Sequence, residues 1–258
     1  MGLPRLAVYK MTSCDGCQLS ILDCEDELLS LAQVVEIGLF PEATSAYLPP
    51  PYDVGLVEGS ISMPEHLHQI EQVRKDCKFL VAIGACATSG GIQALRNFAS
   101  VEEFSRIVYA HPEYIQTLRH STPISDHVKV DFELRGCPIQ KEQLIEVLTA
   151  LLQGRKPQIA NQSVCVECKR AGQTCLLVSQ GVPCLGPVTH AGCQALCPRF
   201  ARGCFGCFGP KELANPHSLN VRLRELGVAP DTVRRLYSTF NVAAPAFYQV
   251  NQASEENT

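Results

Sequence analysis

The sequence predicts an α/β protein: a parallel-sheet domain over residues 1–154, followed by a loop-rich, cysteine-rich domain over residues 155–258. Apolar runs of strand length alternate with segments of helix length through the first part, which is typical of a parallel sheet covered by helices. A linker over residues 154–161 follows. The composition then changes, and eight of the 14 cysteines fall between Cys165 and Cys207.

The first domain is predicted from apolar patterning, element by element. Short apolar runs predict the strands, and apolar residues at helical spacing predict the helices between them. The predicted strands are 6–9, 34–40, 54–57, 79–83 and 128–134. The predicted helices are 18–31, 64–75 and 140–152, and residues 98–127 form a polar insertion in which 101–114 has weak helical periodicity.

The second domain is predicted to have little regular structure around its cysteines. Two helical segments follow, at about 216–226 and 231–240, and their apolar residues are suited to cover the cysteine-rich part or to dock on a partner. We expect the last eight residues, 251–258, to be disordered.

Composition excludes several classes of function. A net charge of −4 and a pI near 6.0 give no electrostatic case for a nucleic-acid partner. No apolar run approaches the roughly 18 residues of a membrane span. The first residues contain neither a signal-peptide core nor a twin arginine, and the sequence begins with Met1, so we expect no leader and a cytoplasmic protein. Cytosolic thiols stay reduced, so dense cysteine there indicates metal rather than disulfides.

Four cysteines form the first candidate metal site. Cys14, Cys17, Cys86 and Cys137 each follow a predicted strand, and ligands of open α/β sheets lie beyond the carboxyl ends of strands. Four thiolates suit a [4Fe–4S] cluster. They also suit a structural zinc, whose ligands usually come from nearby pairs. The 68 residues between Cys17 and Cys86 therefore favour iron–sulfur.

Eight further cysteines are enough for two more Cys₄ sites. In sequence order, one set is Cys165, Cys168, Cys175 and Cys184, and the other is Cys193, Cys197, Cys204 and Cys207. The partition is less secure than the total, because two-cluster ferredoxins exchange one ligand between sites. The remaining two, Cys24 and Cys77, are interpreted as buried structural thiols in helix-rich surroundings.

Glu58 ends a predicted strand beside the first set. Its position fits a functional acid and, equally, a structural acid that caps the following turn. The sequence contains no nucleotide-binding or nucleophile-elbow motif. A series of clusters without a substrate site is most simply an electron relay, and the alternative is a zinc-stabilised interaction scaffold.

These motifs resemble the small subunit of [NiFe] hydrogenases, specifically the delta-type subunit of the cytoplasmic, multisubunit, pyridine-nucleotide-linked branch. The resemblance covers about residues 5–210. It rests on motifs that agree in order: Thr12-Ser-Cys14-Asp-Gly-Cys17, Glu58-Gly-Ser60, Gly84-Ala-Cys86-Ala, Gly136-Cys137-Pro138, Pro183-Cys184-Leu-Gly-Pro-Val-Thr189, Gly192-Cys193 and Gly203-Cys204-Phe-Gly-Cys207.

The resemblance implies a flavodoxin-like first domain without flavin and three [4Fe–4S] clusters. It implies proximal ligands Cys14, Cys17, Cys86 and Cys137, medial ligands Cys193, Cys197, Cys204 and Cys207, and distal ligands Cys165, Cys168, Cys175 and Cys184. Cys165 stands where periplasmic relatives have histidine. The large subunit's nickel motifs are absent, so this chain would hold no catalytic residue, with Glu58 as a candidate for a proton path.

The partners that the resemblance implies are the [NiFe] large subunit and reductase subunits that bind iron–sulfur clusters and flavin or NAD(P). Electrons from H₂ would pass through this chain to NADP⁺ or NAD⁺, reversibly. Other acceptors, a deazaflavin or a heterodisulfide reductase, remain open.

Overall fold

The computed structural model describes residues 2–255 of the chain. Their contacts divide into two compact units, the first ending at Ile159 and the second beginning at Ala160. This division falls within the linker expected at residues 154–161. No helix in residues 2–255 is both long enough and apolar enough to cross a membrane.

The first unit is built on a five-stranded parallel sheet in the order β2-β1-β3-β4-β5. The strands are β1 (Arg5–Lys10), β2 (Glu36–Leu39), β3 (Tyr52–Glu58), β4 (Cys77–Ile83) and β5 (Phe132–Leu134). This is the flavodoxin-like order, which reverses direction between β1 and β3. The predicted α/β fold class is therefore confirmed.

The central strands are buried on both faces because both of their side-chain rows are apolar. Val8, Leu56 and Val81 lie side by side in register and belong to one core cluster. Their neighbours Val57 and Leu80 belong to the cluster on the opposite face. Helices pack on each face and bury these rows.

The described part of the first unit has six α-helices: α1 (Gly16–Leu22), α2 (Glu25–Ala32), α3 (Pro64–Asp76), α4 (Gly84–Ser89), α5 (Val101–Val108) and α6 (Lys141–Leu152). The single helix predicted over 18–31 is wrong, since α1 ends at Leu22 and α2 begins at Glu25. Glu25 has a φ of 39°, outside the right-handed helical region, which breaks the helix there.

Two further segments are shorter than predicted. The strand expected over 128–134 pairs only at Phe132–Leu134, because Val128 and Val130 pack into the core and Asp131 bonds to Leu80 instead. The helix of the insertion is capped by Ser100, whose hydroxyl accepts from the backbone N–H of Glu103 at 3.2 Å. It ends at Val108 rather than continuing to 114.

The second unit carries the other eight cysteines among short helices and loops. Its helices are α7 (Val164–Arg170), α8 (Leu176–Ser179), α9 (Leu196–Arg199), α10 (Pro216–Glu225), α11 (Pro230–Tyr237) and α12 (Pro245–Glu255). The last three bury a core in which the rings of Tyr237 and Phe247 meet edge to face at 5.2 Å. The two helices predicted here are present. Disorder was expected for 251–258, but α12 extends to Glu255, and residues 256–258 lie outside the described residues.

Candidate metal centres

The first set of four cysteines converges at the carboxyl edge of the sheet. Cys14 and Cys17 lie in the turn from β1 into α1, Cys86 lies in α4 directly after β4, and Cys137 follows β5. The turn after β1 is held against the turn after β3 by two backbone bonds between Thr12 and Ser60, of 3.3 and 3.0 Å. These turns flank the point where the strand order reverses, which is where open α/β sheets bind ligands.

The four thiols are near enough to one another to interact electrostatically. Burial, and then the charge of Glu58, raises the pKa of Cys17, to which Cys86 and Cys137 also contribute. Burial raises the pKa of Cys137 to about 11, with Cys86 and Cys14 adding to the shift. Thiolates gathered in this way need a positively charged group among them to be stable.

Two glycines make room for these sulfur atoms. Gly84 has a φ of 83°, and a Cβ at this position would overlap the Sγ atom of Cys17. Gly91 has a φ of 69°, and a Cβ there would lie 2.7 Å from the Sγ atom of Cys86. Both positions therefore exclude side chains, sterically and by backbone conformation.

Glu58 is buried, with 2% of its surface exposed, and contacts the first cysteine turn directly. Its Oε1 accepts from the backbone N–H of Cys17 at 2.9 Å, and its Oε2 accepts from the side-chain amide of Gln18 at 2.9 Å. The carboxylate thus positions the start of α1 and places a negative charge beside Cys17.

Gln18 connects Glu58 to the protein surface, which the sequence analysis missed. Its amide also lies 3.4 Å from Oδ1 of Asp15, whose other oxygen accepts from the half-exposed Lys10 at 2.6 Å. The signal was weak, because a glutamine one residue after a CxxC pair has no distinctive spacing. Only the fold shows what it contacts.

Gln93 is a second residue that sequence reasoning missed. Its Oε1 accepts from the thiol of Cys86 at 3.5 Å, and its Nε2 donates to the carbonyl oxygen of Thr12 at 2.7 Å. The same amide lies 3.4 Å from the hydroxyl of Ser60. One side chain therefore ties a candidate ligand to the turns after β1 and β3.

Cys165, Cys168, Cys175 and Cys184 converge in the second unit. Cys165 and Cys168 lie three residues apart on α7, and this spacing puts them on one face of the helix. Burial raises the pKa of Cys165 to about 11, and Cys184, Cys175 and Cys168 add to the shift in that order. The other three cysteines are therefore near enough to Cys165 to affect its ionisation.

The last four cysteines contribute two pairs. Cys193 interacts electrostatically with Cys197, and Cys204 with Cys207. Cys204 also adjoins the preceding set, because its backbone N–H donates to the Sγ atom of Cys184 at 3.2 Å. The partition into two sets of four therefore stays a prediction.

The two cysteines outside these sets have structural contacts. Cys24 donates to the carbonyl oxygen of Ser20 at 3.4 Å. Cys77 opens β4, so the helix-rich surroundings expected for it are wrong, and burial raises its thiol pKa to about 11.

The cysteine sets fit iron–sulfur clusters, whose ligands are cysteine thiolates. In the second unit, the backbone N–H groups of Cys204 and Gly206 donate to the Sγ atoms of Cys184 and Cys204 at 3.2 and 3.4 Å. Among the side chains described, over residues 2–250, no three or more histidine, cysteine, aspartate or glutamate side chains stand close enough to hold a single metal ion.

Comparison with protein families and curated sequences finds relatives along most of the chain. Residues 14–151 match the family described as NADH ubiquinone oxidoreductase, 20 kDa subunit. The chain is 36% identical over 232 residues to sulfhydrogenase 2 subunit delta of Pyrococcus furiosus, an alignment that covers 90% of this chain and 97% of that protein. It is also 33% identical over 234 residues to one subunit of the vhu F420-non-reducing hydrogenase from Methanocaldococcus jannaschii, covering 80% and 81% of the two chains.

Among solved structures, the fold is similar to a chain in the crystal structure of an NAD⁺-reducing [NiFe]-hydrogenase in the H₂-reduced state. The TM-score is 0.57 at 32% identity, over 62% of this chain and 96% of that chain.

Proposed function

The chain belongs to the family of delta-type hydrogenase small subunits, which share a domain with the 20 kDa subunit of NADH ubiquinone oxidoreductase, and from this premise we propose its role. We propose that it is the electron-transfer small subunit of a cytoplasmic, multisubunit [NiFe] hydrogenase. The observation that carries the proposal is the convergence of Cys14, Cys17, Cys86 and Cys137 on one edge of the sheet.

Cys14, Cys17, Cys86 and Cys137 would hold the proximal cluster. When bound, [4Fe–4S] clusters supply one-electron redox centres, whose potentials in proteins span about −700 to +450 mV. The glycines at 84 and 91 leave room beside two of the ligand sulfurs, those of Cys17 and Cys86. Cys17 is buried and Cys14 is exposed.

The second unit would hold two more clusters. We assign Cys165, Cys168, Cys175 and Cys184 to the distal cluster, which their mutual electrostatic interaction supports. We assign Cys193, Cys197, Cys204 and Cys207 to the medial cluster, supported by the two pairs they form. The bond between Cys204 and Cys184 marks the ligand most open to exchange between these sites.

Glu58 would serve a proton path beside the proximal cluster. Gln18, Asp15 and Lys10 continue from it to solvent through hydrogen bonds of 2.9, 3.4 and 2.6 Å. Glu58 and Asp15 are groups that exchange protons, and the side-chain amide of Gln18 lies between them and donates to both. The hydrogen bond to Cys17 gives Glu58 a positioning role as well.

The partners would be a [NiFe] large subunit, which performs the H₂ chemistry, and reductase subunits with iron–sulfur and flavin sites that reduce NADP⁺ or NAD⁺. The similarity to a chain of an NAD⁺-reducing enzyme supports this acceptor. A second candidate keeps the relay and changes the acceptor to a heterodisulfide reductase or a deazaflavin enzyme. Within this second candidate, the 33% identity with a subunit of an F420-non-reducing hydrogenase favours an acceptor other than the deazaflavin F420.

The test is anaerobic purification of the tagged chain with its natural partners, followed by identification of the retained subunits and H₂-driven reduction assays. We expect a nickel-containing subunit and a flavoprotein, with H₂-dependent reduction of NADP⁺ or NAD⁺. Retention of a heterodisulfide reductase, with no reduction of either nucleotide, would favour the second candidate. A chain that copurifies with no nickel protein would refute both.

A further inference from the structure

A cavity of about 550 Å³ lies in the first unit between the turn after β1 and the inserted segment 92–117. Apolar side chains of α5 form one wall, including Val101, Phe104 and Val108. Polar side chains also line it, among them Thr12, Ser62 and Arg96. None of these residues has a role in the proposed relay.

Arg96 is the only charged residue among the side chains lining this cavity. Its Nη1 donates to the hydroxyl of Thr117 at 2.8 Å, and its Nη2 donates to the carbonyl oxygens of Ser62 and His120 at 3.1 and 3.5 Å. These acceptors are all neutral. The Nε atom is buried and has no hydrogen-bond partner in the part of the chain described.

The positive charge of Arg96 is therefore uncompensated. Among the side chains described, over residues 2–250, no aspartate or glutamate forms an ion pair with it. Burial lowers the pKa of the guanidinium, and no acidic group offsets this effect. Arg96 is half-buried, and removing a charge from water even in part is costly unless the charge is paired. A carboxylate of another molecule that enters the cavity would supply this pair.

The rim of the cavity is unusually apolar for a protein surface. Phe104, Val108 and Tyr109 line the cavity and are 53%, 67% and 49% exposed. Ile107 and Tyr114 belong to the same inserted segment without lining the cavity, and they are 73% and 77% exposed. Contiguous apolar surface with aromatic side chains marks protein interaction sites.

We propose that this cavity receives a segment of a partner protein in which a carboxylate, paired with Arg96, is flanked by apolar side chains that cover the rim. A small free carboxylate would satisfy Arg96 but would leave Ile107 and Tyr114 exposed, so a protein segment accounts for more of the surface. The inference rests on the proposed function only in taking that partner to be a subunit of the hydrogenase assembly. The cavity adjoins Thr12, whose carbonyl oxygen binds Gln93 and through it Cys86.

The test uses the full-length chain, purified anaerobically, and the subunit that the wild-type chain retains. The first pair of variants is Arg96→Met, which removes the charge, and Arg96→Lys, which keeps it. The second pair is Val108→Glu, which places a competing carboxylate at the cavity mouth, and the neutral, size-matched control Val108→Gln. Arg106→Met, an exposed arginine of α5 outside the cavity, controls for net charge. Affinity for the subunit, thermal stability and iron content are measured on each protein.

We expect Arg96→Met and Val108→Glu each to weaken binding by at least about tenfold, whereas Arg96→Lys, Val108→Gln and Arg106→Met have smaller effects. If Arg96→Met fails to fold, the comparison of Val108→Glu with Val108→Gln still tests the proposal, because the exposed position 108 tolerates either side chain. Unchanged binding by well-folded Arg96→Met, or equal effects of Val108→Glu and Val108→Gln, would overturn the proposal. So would stabilisation by millimolar acetate that depends on Arg96 while subunit binding does not.

Iron content separates this inference from the proposed function. Wild-type protein without iron would refute the proposed relay, but the affinities of the variants for the subunit could still be compared. Normal iron in all variants, together with unchanged binding, would refute the docking site alone.

Discussion

Replacement of Glu58 by alanine and by glutamine separates its structural role from its charge. Alanine removes both hydrogen bonds and leaves the buried N–H of Cys17 without an acceptor. Hydrogen bonds to charged groups contribute about 1.5–3 kcal/mol each, so Glu58→Ala should cost about 3–5 kcal/mol. Glutamine keeps an oxygen for Cys17 and turns its amide toward Gln18.

Gln18 is able to accommodate that amide. Its Oε1 is buried and has no hydrogen-bond partner among the described residues, so reversal of the Gln18 amide presents an acceptor to the new donor. Glu58→Gln should therefore cost only about 1 kcal/mol, the difference between charged and neutral bonds. A cost of about 1 kcal/mol lowers the melting temperature by roughly 2–4 °C in chains of this size.

The assay is thermal unfolding of the anaerobically purified chain, followed by circular dichroism because the sequence has no tryptophan. We expect Glu58→Ala to lower the melting temperature by about 6–20 °C and Glu58→Gln by less than about 4 °C. Glu36→Ala is the control, since Glu36 forms only an exposed ion pair with Arg5. Equal losses for alanine and glutamine, or no loss for alanine, would refute this reading of the Glu58 contacts.

Three further predictions test other parts of the molecule. Gly84→Ala should reduce the iron retained by the chain, because a Cβ there overlaps the Sγ atom of Cys17 and the φ of 83° is unfavourable for alanine; normal iron would contradict the packing. Burial lowers the pKa of His66 in the folded state, so just below pH ~6.5 the unfolded state binds more protons than the folded state does. The stability of the folded state therefore falls as the pH drops below about 6.5. Melting temperatures measured across this pH range should show that His66→Gln removes the pH dependence. Cys86→Ser should remove about four iron atoms per chain and uncouple H₂ oxidation from dye reduction, whereas Cys24→Ser should leave both unchanged.

The positions of the first cysteine set were predictable because strand ends are readable from apolar runs. Cys14, Cys86 and Cys137 follow β1, β4 and β5, and parallel strands bring their carboxyl ends to one edge. The exact strand lengths and the break between α1 and α2 could not be predicted from the sequence, because they depend on local contacts such as that of Asp131 with Leu80.

The surroundings of the sulfur atoms could not be predicted from the sequence. Gln18 forms a hydrogen bond to Glu58, which is 40 positions away in the sequence. Gln93 forms one to Thr12, which is 81 positions away. A glutamine carries no spacing pattern that reveals such partners. The unpaired charge of Arg96 could not be predicted for the same reason, because only the fold shows which charged side chains lie away from acidic side chains.

The most direct test of the central claim, that three [4Fe–4S] clusters are bound by twelve cysteines of this chain, is the determination of iron and acid-labile sulfide on anaerobically purified protein. The account predicts about twelve iron and twelve sulfide per chain, with zinc absent. Zinc without sulfide, or a colourless chain without iron, would contradict it.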